Sequence, residues 1–331
     1  MITQEKIVEE NTMVQRDSIE PIVSKFKSKS EVLEQKVIYV YCPKNREIEV
    51  GKVIQDYTFD MVLNDYTISN LDCKVICHFE SSSLSVEQQH FLVTATELGA
   101  WVEPLVSYLD SRLGYTEVDL LHNGYFLHQK AFSILSTPRT QLAKRFLDII
   151  ASLILGVVAL PICLLAAIAI KLESSGPVFF KQKRTGQYNI EFEVLKFRSM
   201  RTDAEKYGVK WASKDDSRVT RIGHFIRKTR IDELPQIINI LKGEMSIVGP
   251  RPEREFFIVD LEKKIPYYRF RHAVKPGVTG LAQVSYPYGA SVEDAIWKHK
   301  YDIFYIKHHS SWLDIKILLK TIKVVLFGMG R

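Results

Sequence analysis

Over 331 residues, long enough for two domains of ordinary size, 46% of the side chains are hydrophobic and the formal net charge is +6. That sum conceals a division: residues 1–140 carry 13 Lys and Arg against 20 Asp and Glu, a net −7, and residues 141–331 carry 32 against 19, a net +13. A basic half suits anionic lipid headgroups or phosphorylated substrates, and nucleic acid is set aside because no zinc-ligand spacing, recognition helix or aromatic RNA-binding signature accompanies the charge.

The polar, mixed-charge opening residues predict no cleavable signal peptide and a mainly cytoplasmic chain. Residues 1–36 read as a mobile polar segment, with Lys25, Lys27 and Lys29 alternating with small or aromatic residues. Strands are expected at Val37–Tyr41, Met61–Leu63 and Val75–Phe79, each rich in β-branched or aromatic side chains. A helix over Val86–Leu98 should stop at Gly99, followed by an extended piece at Trp101–Leu105. Residues 37–137 thus read as a small α/β accessory domain. It lacks the glycine-rich loop of dinucleotide binding, which favours a scaffolding, regulatory or oligomerising role. Cys42, Cys73, Cys77 and Cys163 show neither a disulfide framework nor metal-ligand spacing, so they read as reduced structural thiols. The nine histidines likewise lack ligand spacing; His308 and His309 are expected on a helix and His272 in a strand.

No charged residue interrupts Ile149–Ile170, and Pro161 stands near the middle of that run. At about 1.5 Å per residue a straight helix of this length matches a hydrocarbon core. Proline removes a backbone hydrogen bond and favours two arms meeting at an angle. Lys144 and Arg145 precede the run, while Lys171, Lys181, Lys183 and Arg184 follow it. Matching basic flanks are satisfied if the chain enters one leaflet and returns, so a re-entrant hairpin over about 146–171 is favoured over a kinked span or a buried core helix.

Chemistry concentrates downstream. Leu234, Ile237, Ile238 and Leu241 recur at helical spacing and Gly243 ends the pattern, predicting a helix over Glu233–Lys242 with Asp232 as its N-cap and Pro235 in the first turn. The helix end and Arg227, Lys228 and Arg230 should favour ionised Asp232. A cap alone also explains an aspartate there. Phe180–Gly186 and Leu195–Met200 read as a strand pair; alternation puts Lys196 and Arg198 on one face, able to grip a diphosphate or simply solvated. In Gly249-Pro250-Arg251-Pro252 two prolines present Arg251 with little freedom left to lose, unless this is a plain turn.

In order, these residues resemble the bacterial sugar transferase family, the monotopic phosphoglycosyl transferases that start polysaccharide assembly on polyprenyl phosphate. The resemblance spans about Lys144 to Arg331. It rests on Pro161, the Phe180, Gln182, Arg184 and Gly186 series, Lys196-Phe197-Arg198-Ser199-Met200, Asp232-Glu233-Leu234-Pro235-Gln236, Gly249-Pro250-Arg251-Pro252, Lys275-Pro276-Gly277-Val278-Thr279-Gly280 and Leu313-Asp314-Ile315-Lys316. Asn189, Leu160, Leu281 and Ser285-Tyr286 depart from the usual residues.

The resemblance implies an α/β catalytic domain over 141–331, carrying a helix-break-helix hairpin and interfacial helices at the cytoplasmic face of the bacterial inner membrane. It implies that Asp232 attacks the β-phosphorus of a UDP-sugar, that UMP leaves, and that polyprenyl (undecaprenyl) phosphate takes the phosphosugar from the aspartyl intermediate. Mg2+ is the implied cofactor, with Asp232 as a ligand; Glu233 would position the metal or handle protons. Lys196, Arg198 and Arg227 would hold phosphates and Arg251 the leaving nucleotide. UDP-sugar, polyprenyl phosphate and membrane lipid are the expected partners, nucleic acid is not, and homo-oligomerisation is left open. Trp312–Phe327, with Lys316, Lys320 and Lys323 on one face, reads as a helix in the interface plane or a basic helix on the core. The rival readings are a non-enzymatic membrane organiser of polysaccharide assembly, and an enzyme moving a whole nucleotide or a lipid phosphate.

Overall fold

The computed structural model describes residues 37–55, 57, 60–68, 70–72, 74–127, 132–204, 216–287, 289 and 291–326. The expected N-terminal segment, Cys73 and Phe327 lie outside the described residues. The chain divides into two units, Met1–His128 and Gln129–Arg331.

In the first unit, strands β1 (Val37–Tyr41), β2 (Asp60–Leu63), β3 (Val75–His78) and β4 (Trp101–Pro104) form a parallel sheet in the order β2-β1-β3-β4. Helices α1 (Glu47–Gln55), α2 (Val86–Glu97) and α3 (Leu105–Leu113) connect and follow the strands. A sheet covered by helices needs apolar strands, and Ile38, Val40, Ile76 and Cys77 are fully buried. Ser85 and Gln88 start α2 with a reciprocal capping box. Gly99, at φ +90°, follows its end as the sequence predicted. Burial pushes the Cys42 thiol up to about 11, which suits an inert structural cysteine.

The second unit begins upstream of the expected boundary, because Phe132 packs edge-on against Phe270. Its first long element, α4 (Pro138–Glu173), runs continuously through Pro161. Two arms were expected. Proline costs about 3 kcal/mol inside a helix, and strong helix formers, alanine and leucine, stand on both sides of it in the continuous helix. The helix is long and apolar enough to cross a membrane, by length and composition. Only a narrow stripe is covered: Asp148, Ser152, Ala159, Ala166 and Ile170 are buried, whereas Ile154, Val157, Leu160 and Leu165 are exposed.

After α4 come the antiparallel pair β5 (Phe179–Thr185) and β6 (Glu191–Phe197), then α5 (Arg221–Lys228). Tyr188 and Asn189 in the β5–β6 connection take positive φ, which asparagine tolerates. Ile231–Gln236 is a 3-10 turn that passes into α6 (Ile237–Lys242). A single α-helix capped by Asp232 was predicted over this stretch. Instead Arg230, at φ +60°, precedes the turn, and Asp232 lies inside it. The apolar spacing survives because the 3-10 turn leads directly into the α-helix.

A two-stranded parallel pair, β7 (Ser246–Val248) and β8 (Gly277–Thr279), brackets α7 (Glu255–Leu261). His272 falls in a 3-10 turn, Tyr268–Ala273, and not in the predicted strand. Helices α8 (Leu281–Ser285), α9 (Val292–Lys307) and α10 (Ser311–Leu326) complete the unit. His308 caps α9 and His309 lies between helices, so the two do not share one. In α10, Leu313 and Ile317 face inward while Trp312, Ile315, Leu319 and Ile322 face outward. Lys320 reaches Ser285 at 3.4 Å, and so leaves the expected lysine face for the protein.

Candidate active site

The turn carrying Asp232 and Glu233 is fixed from both sides. Thr220 caps α5 by accepting from the Gly223 N–H at 2.9 Å. Gly223 must lack a side chain, because a Cβ there would stand 2.0 Å from the Ser199 carbonyl oxygen. Ile226 of α5 and Ile231 of the turn then pack with Phe197, Ala166 and Ile170, locking the turn against β6 and α4. Asn239 adds a polar tie: its side chain accepts from the Leu195 N–H at 3.0 Å and donates to the Glu193 carbonyl at 2.7 Å.

Glu233 is buried, and one of its oxygens accepts from Lys196 Nζ at 2.9 Å and from Arg251 Nη2 at 2.7 Å. Burial alone would raise its carboxyl, but Arg251 and Lys196 prevail and hold it well below the usual carboxylate range. Asp232 behaves oppositely. Burial, then the neighbouring Glu233 charge, raises it, and Lys196, Arg227 and Arg230 only partly oppose the shift. The expected bias toward the ionised form is therefore reversed in the free protein, because desolvation exceeds the pull of the surrounding cations. Burial also pulls Lys196 below the ordinary lysine value, although Glu233 acts the other way.

Residues 139–328 match the family described as bacterial sugar transferase. The chain belongs to that family. It is 40% identical over 256 residues to the UDP-N-acetylgalactosamine-undecaprenyl-phosphate N-acetylgalactosaminephosphotransferase of Aeromonas hydrophila, covering 77% of this chain and 59% of that protein. With the UDP-glucose:undecaprenyl-phosphate glucose-1-phosphate transferase of Caulobacter vibrioides the identity is 38% over 234 residues, 69% of this chain and 88% of the relative. A Bacillus subtilis protein named as a putative undecaprenyl-phosphate N-acetylgalactosaminyl 1-phosphate transferase is 50% identical over 135 residues, 41% and 75% of the two chains.

Within this bacterial sugar transferase, Lys196, Glu233 and Arg251 meet directly, and Asp232 adjoins them with Arg227 close enough to act on its charge. Arg198 does not join them. Its guanidinium donates to the Ser174 and Ser175 carbonyl oxygens at 2.8 and 2.9 Å and to Ser174 Oγ at 2.8 Å, capping the end of α4. Backbone pairing still reaches Arg198, whose N–H donates to the Val178 carbonyl at 2.8 Å, but its long side chain is drawn to the end of α4 and away from the site. Terminal helix carbonyls without partners attract such a cation.

Two supporting arginines escaped the sequence reading as site residues. Arg184 donates to the Pro252 carbonyl at 3.2 Å and pairs with Glu253 at 3.4 Å. Arg271, fully enclosed, donates to the Arg251 carbonyl at 3.1 Å and to Asp302 at 2.7 Å. Both hold the backbone that presents Arg251. Arg184 stood in a family motif without a role, and no local signal marks Arg271, whose partner lies 31 residues away. Among the described residues no three His, Cys, Asp or Glu side chains form a metal cage.

Proposed function

We propose that the protein transfers a sugar-1-phosphate from a UDP-sugar to polyprenyl phosphate, releasing UMP and initiating glycan assembly. The observation carrying this reading is the adjacency of Asp232 to the Lys196–Glu233–Arg251 cluster: a carboxylate that accepts no hydrogen bond among the described residues, beside cations suited to a diphosphate. The names of the Aeromonas and Caulobacter relatives agree with the reaction class.

An ionised Asp232 oxygen attacks the β-phosphorus, and the bond to the bridging oxygen breaks with its electron pair leaving on UMP. An oxygen of polyprenyl phosphate then attacks the phosphosugar on Asp232, and the carboxylate is released. The products are UMP and a polyprenyl-diphospho-sugar. Lys196, Arg227 and Arg251 bind and orient the phosphates, while Glu233 keeps Lys196 and Arg251 together before the donor arrives. Mg2+ characteristically binds through one or two carboxylates plus substrate phosphates, which fits Asp232 better than the doubly paired Glu233. Held there, it would supply charge neutralisation on the diphosphate.

The acceptor phosphate lies at headgroup level, and we assign α4 to one leaflet on the cytoplasmic side. Both ends of α4 support this. Arg145 donates to the Ile240 and Leu241 carbonyls near its start, and Arg198 caps its end. A helix fastened at both ends to one folded unit is poorly suited to crossing.

Membrane fractions supplied with UDP-glucose, UDP-N-acetylgalactosamine and related donors plus polyprenyl phosphate should release UMP. Asp232→Asn should abolish that release and the phosphosugar adduct. UMP release undiminished in Asp232→Asn would refute the nucleophile, and none with any donor would refute the reaction.

A further inference from the structure

We propose that Asp148, on the apolar helix α4, is a positioning residue for Arg251, acting through strand β7. The inference rests on the reading of Arg251 as a phosphate-binding group. One oxygen of Asp148 accepts from Ser246 Oγ and from the Ile247 N–H, both at 3.0 Å. Asp148 is buried, so these bonds are shielded from water and carry more weight than surface ones.

The path from Ile247 to Arg251 has little slack. The Gly249 N–H donates to the Thr279 carbonyl and the Gly277 N–H to the Pro250 carbonyl, both at 2.9 Å. A Cβ on Gly249 would stand 2.5 Å from the Lys275 carbonyl oxygen, so the two backbones are already in close contact. Pro250 and Pro252 restrict the dihedrals on either side of Arg251. A shift of β7 therefore moves the arginine rather than being absorbed by the loop.

One turn earlier on the same helix, Arg145 donates to the Ile240 and Leu241 carbonyls at the end of α6, the helix that continues from the Asp232–Glu233 turn. Arg145 and Asp148 sit three residues apart on one face. A single turn of α4 thus holds both the helix that follows the Glu233 turn and the strand that leads to Arg251, the two partners of the Glu233–Arg251 ion pair. Lys144, beside them, pairs with Asp314 of α10 at 2.7 Å. These basic residues are occupied by the protein, which a simple reading as lipid-facing flank charges does not explain.

The test uses the full chain in lipid nanodiscs containing polyprenyl phosphate, with UDP-glucose or UDP-N-acetylgalactosamine, whichever the wild type turns over. Asp148→Ala should lower kcat/KM by about 10- to 100-fold, the cost of a misplaced binding group. Asp148→Asn retains an acceptor oxygen and should recover most of the activity. In an Arg251→Lys background Asp148→Ala should add little, because the group it positions is already gone.

A second readout needs no substrate: phenylglyoxal modification of Arg251, followed by peptide mass spectrometry with Arg269 as internal control. Asp148→Ala should speed modification of Arg251 several-fold and leave Arg269 unchanged. Ser246→Ala, which deletes one of the two Asp148 bonds together with the hydroxyl's 3.0 Å contact to the Val248 carbonyl, carries the same measurement if Asp148→Ala does not fold. An unchanged Arg251 rate, or an undiminished Asp148→Ala loss in the Arg251→Lys background, would overturn the proposal. A wild type that releases no UMP would refute the functional reading alone, and the Arg251 labelling would still decide the positioning role.

Discussion

Glu233→Gln is the most revealing substitution, because stability and ligand binding should move in opposite directions. One Glu233 oxygen accepts from Lys196 at 2.9 Å and Arg251 at 2.7 Å, in a site shielded from solvent. A hydrogen bond to a charged group contributes about 1.5–3 kcal/mol, against about 1 kcal/mol for a neutral one. Glutamine keeps one acceptor oxygen for donors that remain charged but brings no countercharge, so each contact weakens by about 1 kcal/mol and the two cations face each other without a counter-ion. The total is about 3 kcal/mol, which for a unit of this size lowers the Tm by about 6–12 °C. An anion should restore what the substitution removed. UMP or inorganic phosphate should therefore raise the Tm of Glu233→Gln more than that of the wild type, measured by thermal unfolding in detergent. The substitution also removes a charge that raises Asp232, so the acid limb of any residual activity should move to lower pH. Equal ligand-induced shifts in the two proteins, or a loss of stability below about 1 kcal/mol, would refute the claim that Glu233 holds the cations in place of substrate.

Further outcomes follow from the same geometry. On the proposal that Asp232 is the nucleophile, it must ionise to attack, and since its folded carboxyl is raised by burial and by Glu233, UMP release should fall as pH drops through a value above the ordinary carboxylate range. The same shift means that Asp232 favours the folded state when protonated, and this contribution is lost as pH rises through its folded pKa. Arg198→Gln should lower the Tm, at a cost of about 1–3 kcal/mol for the stranded carbonyls, yet leave the KM for the donor nearly unchanged; a selective rise in KM would return Arg198 to the site. EDTA should abolish UMP release and Mg2+ restore it, and turnover that persists in EDTA would remove the metal from the reaction.

How legible the site was depended on the range of the signal. Asp232, Glu233, Lys196 and Arg251 were visible because each sits in a short motif whose residue types suit phosphate chemistry. Their convergence was not, since Lys196 and Glu233 lie 37 residues apart and nothing local sets that pairing. The α6 spacing was read correctly in period but not in type, because i, i+3, i+4 recurrence does not distinguish a 3-10 turn leading into an α-helix from one α-helix. Burial was the decisive unknown for the protonation of Asp232: the cations were countable along the chain, while the desolvation that outweighs them arises only when α5, β6 and α4 close around the turn. In the first unit the strand positions and the Gly99 stop after α2 were legible because β-branched apolar runs and a helix-ending glycine are local patterns, whereas the Ser85 cap and the parallel pairing appear only in the structure.

The disposition of α4 toward the bilayer can be argued from its fastenings. Near its start Lys144 pairs with Asp314 and Arg145 holds the end of α6; near its finish Glu173 accepts from the Ile222 N–H at 3.0 Å and Arg198 caps Ser174. All these partners belong to one folded unit. If α4 crossed the bilayer, either the unit would be split between two aqueous phases or the fastenings at one end would break, stranding charged and polar groups at several kcal/mol each. Arg139→Cys and Ser175→Cys, each in a background freed of the native cysteines, lie on exposed positions flanking the apolar run. A membrane-impermeant maleimide should label both in inverted vesicles and neither in right-side-out ones. Labelling of the two positions from opposite sides would show that α4 spans, and that at least one set of fastenings opens in the membrane.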